Sequence, residues 1–122
     1  MTTSYSKPND VTYNIGYGYI INPFITKIII KNKEVYQYES LELNYNFNYD
    51  TIISALMSLK YTNDQVTAIT LNYLLTLHDE VIDPEKVKEY QQEYKELQEY
   101  RLICKNEAKH LIEYAEINDV HP

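Results

Sequence analysis

The sequence predicts an α+β fold: a small antiparallel β-meander followed by three helices, the last one long and heptad-patterned. Three observations predict it. Residues 11–47 hold β-branched and aromatic side chains at a period of two, the spacing of a strand with one large-residue face. From residue 48 the apolar spacing becomes that of a helix. From Pro84 to about Glu116 neither Gly nor Pro interrupts the chain.

Residues 1–10 are polar, contain Pro8 and carry no period, so they read as a flexible arm. Val11, Tyr13, Ile15, Tyr17, Tyr19 and Ile21 then alternate with Thr12, Asn14, Gly16 and Gly18. This spacing predicts one strand with a tyrosine-rich face, whose Tyr13, Tyr17 and Tyr19 form a candidate contact surface through strand pairing with a neighbour. The two glycines allow a bulge or a close backbone approach there. Asn22-Pro23 signals a turn, because proline cannot continue a central ladder. Residues 25–30 and 35–38 read as strands joined by a turn over Lys31–Glu34, where Asn32 tolerates positive φ. Leu41, Leu43, Tyr45 and Phe47 give a fourth strand.

The helical part is expected over residues 48–117, with 118–122 as a tail. Asn48 or Asp50 caps a first helix carrying Ile52, Ile53, Leu56 and Met57. Thr62-Asn-Asp-Gln65 has the form of a capping box, in which hydroxyl and amide side chains satisfy backbone donors reciprocally. Asp83-Pro84-Glu85 opens the third helix: an N-cap acid, proline at the first helical position, and an acid against the positive end of the dipole. Along it Val87, Tyr90, Tyr94, Leu97, Arg101, Cys104, Ala108, Leu111 and Ala115 are spaced by alternate steps of three and four, the spacing of a coiled-coil seam. At 1.5 Å per residue this helix is roughly 50 Å long, longer than the two shorter helices can cover. The seam is therefore expected to meet another protomer, another protein or the β-layer, and Val87 to Leu111 are candidate interface residues. Arg101, the one charged member, either fixes register against an acid or reaches out to solvent.

The chain of 122 residues carries a net charge of −7, unevenly. Residues 1–47 hold four acids and four lysines; residues 48–122 hold fourteen acids and seven bases. A basic stripe able to displace phosphate counterions is missing, so direct nucleic-acid binding is not expected. The helix-turn-helix outline of residues 50–77 agrees, since its second helix has no Lys or Arg. No apolar run reaches the roughly 20 residues of a membrane span, and no membrane partner is expected. A signal peptide is not evident at the start, and the lone Cys104 fits a reducing compartment. Fourteen tyrosines, against two phenylalanines and no tryptophan, suit half-buried surfaces with polar tips.

Candidate chemistry is thin. Glu107 and His110 have the Glu-x-x-His spacing of di-metal bundles, but such sites need two copies and two further acids, so a solvated helix face is expected. His78-Asp79-Glu80 reads as a connector rather than a metal site. Cys104 lies mid-helix, without the base or helix start that activates a thiol. Gly16-Tyr17-Gly18 lacks the helix and the Lys-Ser/Thr of a phosphate loop. No catalytic residue, metal or cofactor is expected, and the protein is not expected to be an enzyme.

Two segments carry a family likeness. Residues 47–69 contain ALMSLKYTNDQVTAI, and residues 97–109 read LQEYRLICKNEAK. Together, over about residues 46–112, they resemble small virion-associated proteins of crAss-like and related tailed bacteriophages, in which a short β-rich part precedes a helical pair and a final helix. The resemblance implies a capsid, head-fibre or tail accessory role, with other phage structural proteins as partners and the virion, assembled in the host cytoplasm, as location. No catalytic residue belongs to the pattern. The expected function is thus a non-enzymatic structural or adaptor component, homo-oligomeric through the 87–115 seam. The alternatives are a small acidic phage inhibitor of a host defence or nucleic-acid enzyme, its acids imitating a phosphate backbone, and a tail-assembly chaperone.

Overall fold

The computed structural model describes residues 1–78, 80 and 83–122. Six strands precede three helices: β1 (Thr2–Ser4), β2 (Val11–Asn14), β3 (Gly18–Ile21), β4 (Thr26–Ile30), β5 (Lys33–Tyr38), β6 (Leu41–Asn44), α1 (Tyr49–Ser58), α2 (Asn63–Leu77) and α3 (Pro84–Ile117). The α+β class is as the sequence predicts. The strands form two antiparallel three-stranded sheets, ordered β1-β5-β4 and β2-β3-β6.

Two details of the β-part differ from the sequence reading. The arm is not free of structure, because Thr2–Ser4 pairs with Tyr36–Tyr38 of β5. The strand expected over Val11–Ile21 is instead a hairpin, with Val11 opposite Ile21 and Asn14 opposite Gly18. Gly16 and Gly18 cause the reversal, with φ of 94° and 82°, values that cost L side chains heavily. Gly18 also lets another strand close in: a Cβ there would stand 1.9 Å from the Asn44 carbonyl oxygen of β6.

The chain divides into two compact units, Met1–Ala55 with Lys105–Pro122, and Leu56–Cys104. The first has a core that includes Val11, Ile21, Val35, Leu43, Ile52, Ala108, Leu111 and Ala115. In the second, the buried apolar residues among those described are Leu56, Met57, Leu97 and Cys104.

Each helix starts where its caps dictate. The Asn48 side-chain oxygen accepts from Thr51 N at 2.9 Å. At α2, Gln65 N donates to Thr62 Oγ1 at 3.1 Å and Thr62 N donates to Gln65 Oε1 at 2.8 Å, so the capping box is complete. Glu85 N donates to Asp83 Oδ1 at 3.0 Å. The 34-residue α3 runs without a break through Arg101.

Candidate interaction surface

The unit of residues 56–104 is stapled by aromatic rings. Tyr73 of α2 stacks on Tyr94 of α3, centroids 3.9 Å apart and planes 2° from parallel. Tyr61 leans on Tyr100 at 5.8 Å, and the Lys60 ammonium lies over both rings. The two contacts pair an earlier α2-side residue with a later α3 residue, so the helices run antiparallel. The Tyr100 hydroxyl donates to the Leu56 carbonyl at 2.7 Å; burial pushes this hydroxyl far above the usual tyrosine range, with Cys104 beside it adding to the rise.

Most of the predicted seam is already covered. Leu97, Cys104, Ala108 and Leu111 have no exposed surface, and Ala115 keeps 5%. Val87, Tyr90, Tyr94 and Arg101 are half-buried, and Arg101 makes no ion pair among the described residues. Of the coverings expected for this ridge, a second polypeptide is not needed at Leu97, Cys104, Ala108, Leu111 and Ala115. Its central and C-terminal positions are satisfied within one chain and present nothing to a partner. The tyrosine surface is likewise not one strand face. Tyr13 and Tyr19 are half-buried and meet edge-on at 5.1 Å, Tyr19 stacks on Phe47 at 4.5 Å, and Tyr17 stands exposed on the hairpin turn. Strand β3 is paired on both sides and has no edge to offer.

The uncovered apolar surface lies elsewhere. Helix α2 is rich in leucine, isoleucine and valine, yet none of its residues is buried. Val66, Ile69 and Tyr73 make its half-buried stripe. On another flank Leu71 is 55% exposed, Leu74 42% and Leu75 39%, and Leu77 beyond them 57%. A helix apolar round so much of its circumference is ordinarily enclosed. Leu102 and Ile103 of α3, in the same unit, are also exposed. The flank has its own heptad spacing: Asp64, Ala68, Leu71, Leu75 and His78 are all exposed and follow steps of four, three, four and three. That spacing was visible in the sequence, masked by the longer ridge on α3.

In the first unit, Glu107 is half-buried, while His110 is exposed as the solvated-face reading expects and still has a partner. His110 Nε2 meets Asp10 Oδ2 at 2.6 Å across 100 residues of sequence, and Asp10 is buried with its other oxygen unbonded. Burial raises the Glu107 carboxyl above the usual range; His110 and the Phe24 backbone N–H oppose the rise, and Asp10 adds to it. With Lys7, Asn22 and Phe24 these residues line a cavity of about 150 Å³. Sequence offers no sign of this pairing, because a lone Asp in a polar arm has no periodic partner. Among the described residues no cluster of three or more His, Cys, Asp or Glu is placed to hold a metal. Asp79 of the His78-Asp79-Glu80 connector lies outside the described residues. No described helix is long and apolar enough to cross a membrane.

Compared with protein-family models, curated proteins and solved structures, the chain matches none.

Proposed function

We propose that this protein is a non-enzymatic structural or adaptor component of a bacteriophage particle, and that it self-associates through the leucine flank of α2. The single observation behind the contact is that α2 buries no residue while exposing Leu71, Leu74 and Leu75 side by side. The unit it belongs to buries few apolar residues of its own, and a small core of that kind gains stability from a further apolar layer. The phage context is supported by the resemblance of residues 46–112 and rests on it alone.

A second copy is the occupant that charge favours. Two chains of net charge −7 repel wherever their acids meet. From Gln65 to Leu77 α2 carries no charged residue, so this is a face on which two copies approach without that penalty. A two-fold interface brings the same patch of each copy together. Run antiparallel, it sets the Asp64 end of one helix toward the His78 end of the other, acid against imidazole.

Light scattering on the purified chain should give the mass of a dimer or a higher closed oligomer. Leu71→Glu should convert it to a monomer of unchanged helix content by circular dichroism, since Leu71 is more than half exposed and its replacement leaves the packed residues alone. A wild-type chain that stays monomeric at every concentration would remove self-association. Proteomics of purified particles should find the chain; its absence there, together with capture of a host nuclease, would replace the structural role with the inhibitor role.

A further inference from the structure

The β1-β5-β4 sheet separates its charges by face. Thr3 sits opposite Gln37, Ile28 opposite Val35 and Ile30 opposite Lys33, so Thr3, Ile28, Ile30, Lys33, Val35 and Gln37 share one face and no acid is among them. Lys27, Glu34 and Tyr36 share the other, where Lys27 Nζ meets Glu34 Oε1 at 2.9 Å. The nearby Glu39 is engaged with the N-terminal amine at 3.6 Å.

At the end of the acid-free face is a cavity of about 300 Å³, floored by Ile30 and Val35. Lys31 and Lys33 line it together with Thr3 and Tyr5. Ser4 also lines it, but its hydroxyl already donates to the Ser6 carbonyl. Neither lysine makes an ion pair among the described residues; Lys33 Nζ stands 5.9 Å from the Tyr5 ring centroid. Two lysines thus share one cavity that no acidic residue lines.

Lys31 gives a second, independent sign. With Asn32 it forms the two-residue turn between β4 and β5, both at positive φ, 49° and 63°. Such turns favour Asn, Asp or Gly at these positions. Lysine is a poor choice for the backbone there, and this one is among the residues lining the cavity.

We propose that this cavity binds the phosphate group of a small phosphomonoester. Two ammonium groups match a dianion, and lysine binds phosphate as a point charge. The volume is at the lower end of the range for small-molecule sites, and the Tyr5 ring offers a surface to the organic part. A long polyanion is disfavoured, since the rest of the chain would repel it.

The test is calorimetric titration of the full chain with phenyl phosphate, inorganic phosphate and acetate at low salt. Phenyl phosphate should bind tightest and acetate weakest. Lys31→Gly and Lys33→Gln should each weaken phosphate binding about tenfold or more, while Lys27→Gln, on the opposite face, should leave it unchanged. Lys31→Gly should also raise Tm, because glycine suits the turn, which separates lost binding from lost folding. Equal weakening by Lys27→Gln would reduce the effect to diffuse surface charge and overturn the site. Acetate binding as well as phosphate would overturn the dianion, and inorganic phosphate binding as tightly as phenyl phosphate would overturn the organic portion.

Discussion

Gly18 is the residue with least freedom to change. Its φ of 82° excludes most side chains, and the Asn44 carbonyl occupies the place a Cβ would take. Gly18→Ala must therefore part β3 from β6 or twist the hairpin, and should cost about 2–4 kcal/mol in urea unfolding. Gly16→Ala should cost less, since a Cβ there meets nothing within 4 Å and only the backbone angle is strained. Glu107 makes a different prediction. Burial raises its folded-state pKa above the ordinary 4.5, so the folded chain holds this proton more tightly than the unfolded one. The stability this adds is complete below the ordinary value and is lost as pH rises through the folded value. Glu107→Gln should be more stable than wild type at pH 7, and the advantage should vanish in acid; thermal melts at both pH values would show it. A variant equally offset at every pH would mean that shape, and not charge, is responsible.

At the scale of elements, α2 is the most lightly held. Its start rests on the reciprocal Thr62–Gln65 bonds, and no residue along it is buried. Thr62→Ala should cost about 1 kcal/mol, and with so little packing to compensate, the loss should appear as faster amide exchange along residues 63–77. Exchange that speeds up equally in α3 would mean that the two helices open as one. Helix α3 is the contrary case. Its ridge has the coiled-coil spacing but serves as an internal core element, because a 3.5-residue repeat reports only that one side of a helix is covered. It does not say by what. The leucines of α2 show the same limit from the other direction: its apolar positions run round more than one flank, and their spacing does not say which flank stays open.

For the whole molecule, Leu97 distinguishes an internal ridge from an external seam. It is fully buried, so Leu97→Ala should destabilise the fold by about 2–5 kcal/mol without first changing the oligomer mass. An oligomer that dissociates while each chain stays equally stable would return the seam to the interface. The α+β class, the order of strands before helices, the three helix starts and the unbroken final helix were all legible in residue order. They depend on local physics: side-chain period, caps, and the backbone demands of glycine and proline. The hairpin in place of one strand was nearly so, since two glycines in three residues announced a reversal that alternation alone concealed. Four features were not legible: the split of six strands into two sheets, the Asp10–His110 pair, the acid-free cavity beside Lys31 and Lys33, and the choice of which apolar flank stays open. Each brings together residues far apart in the chain or depends on which side of a strand faces which neighbour. Such pairings are selected by the free energy of packing the entire chain, and no local window of sequence contains that sum.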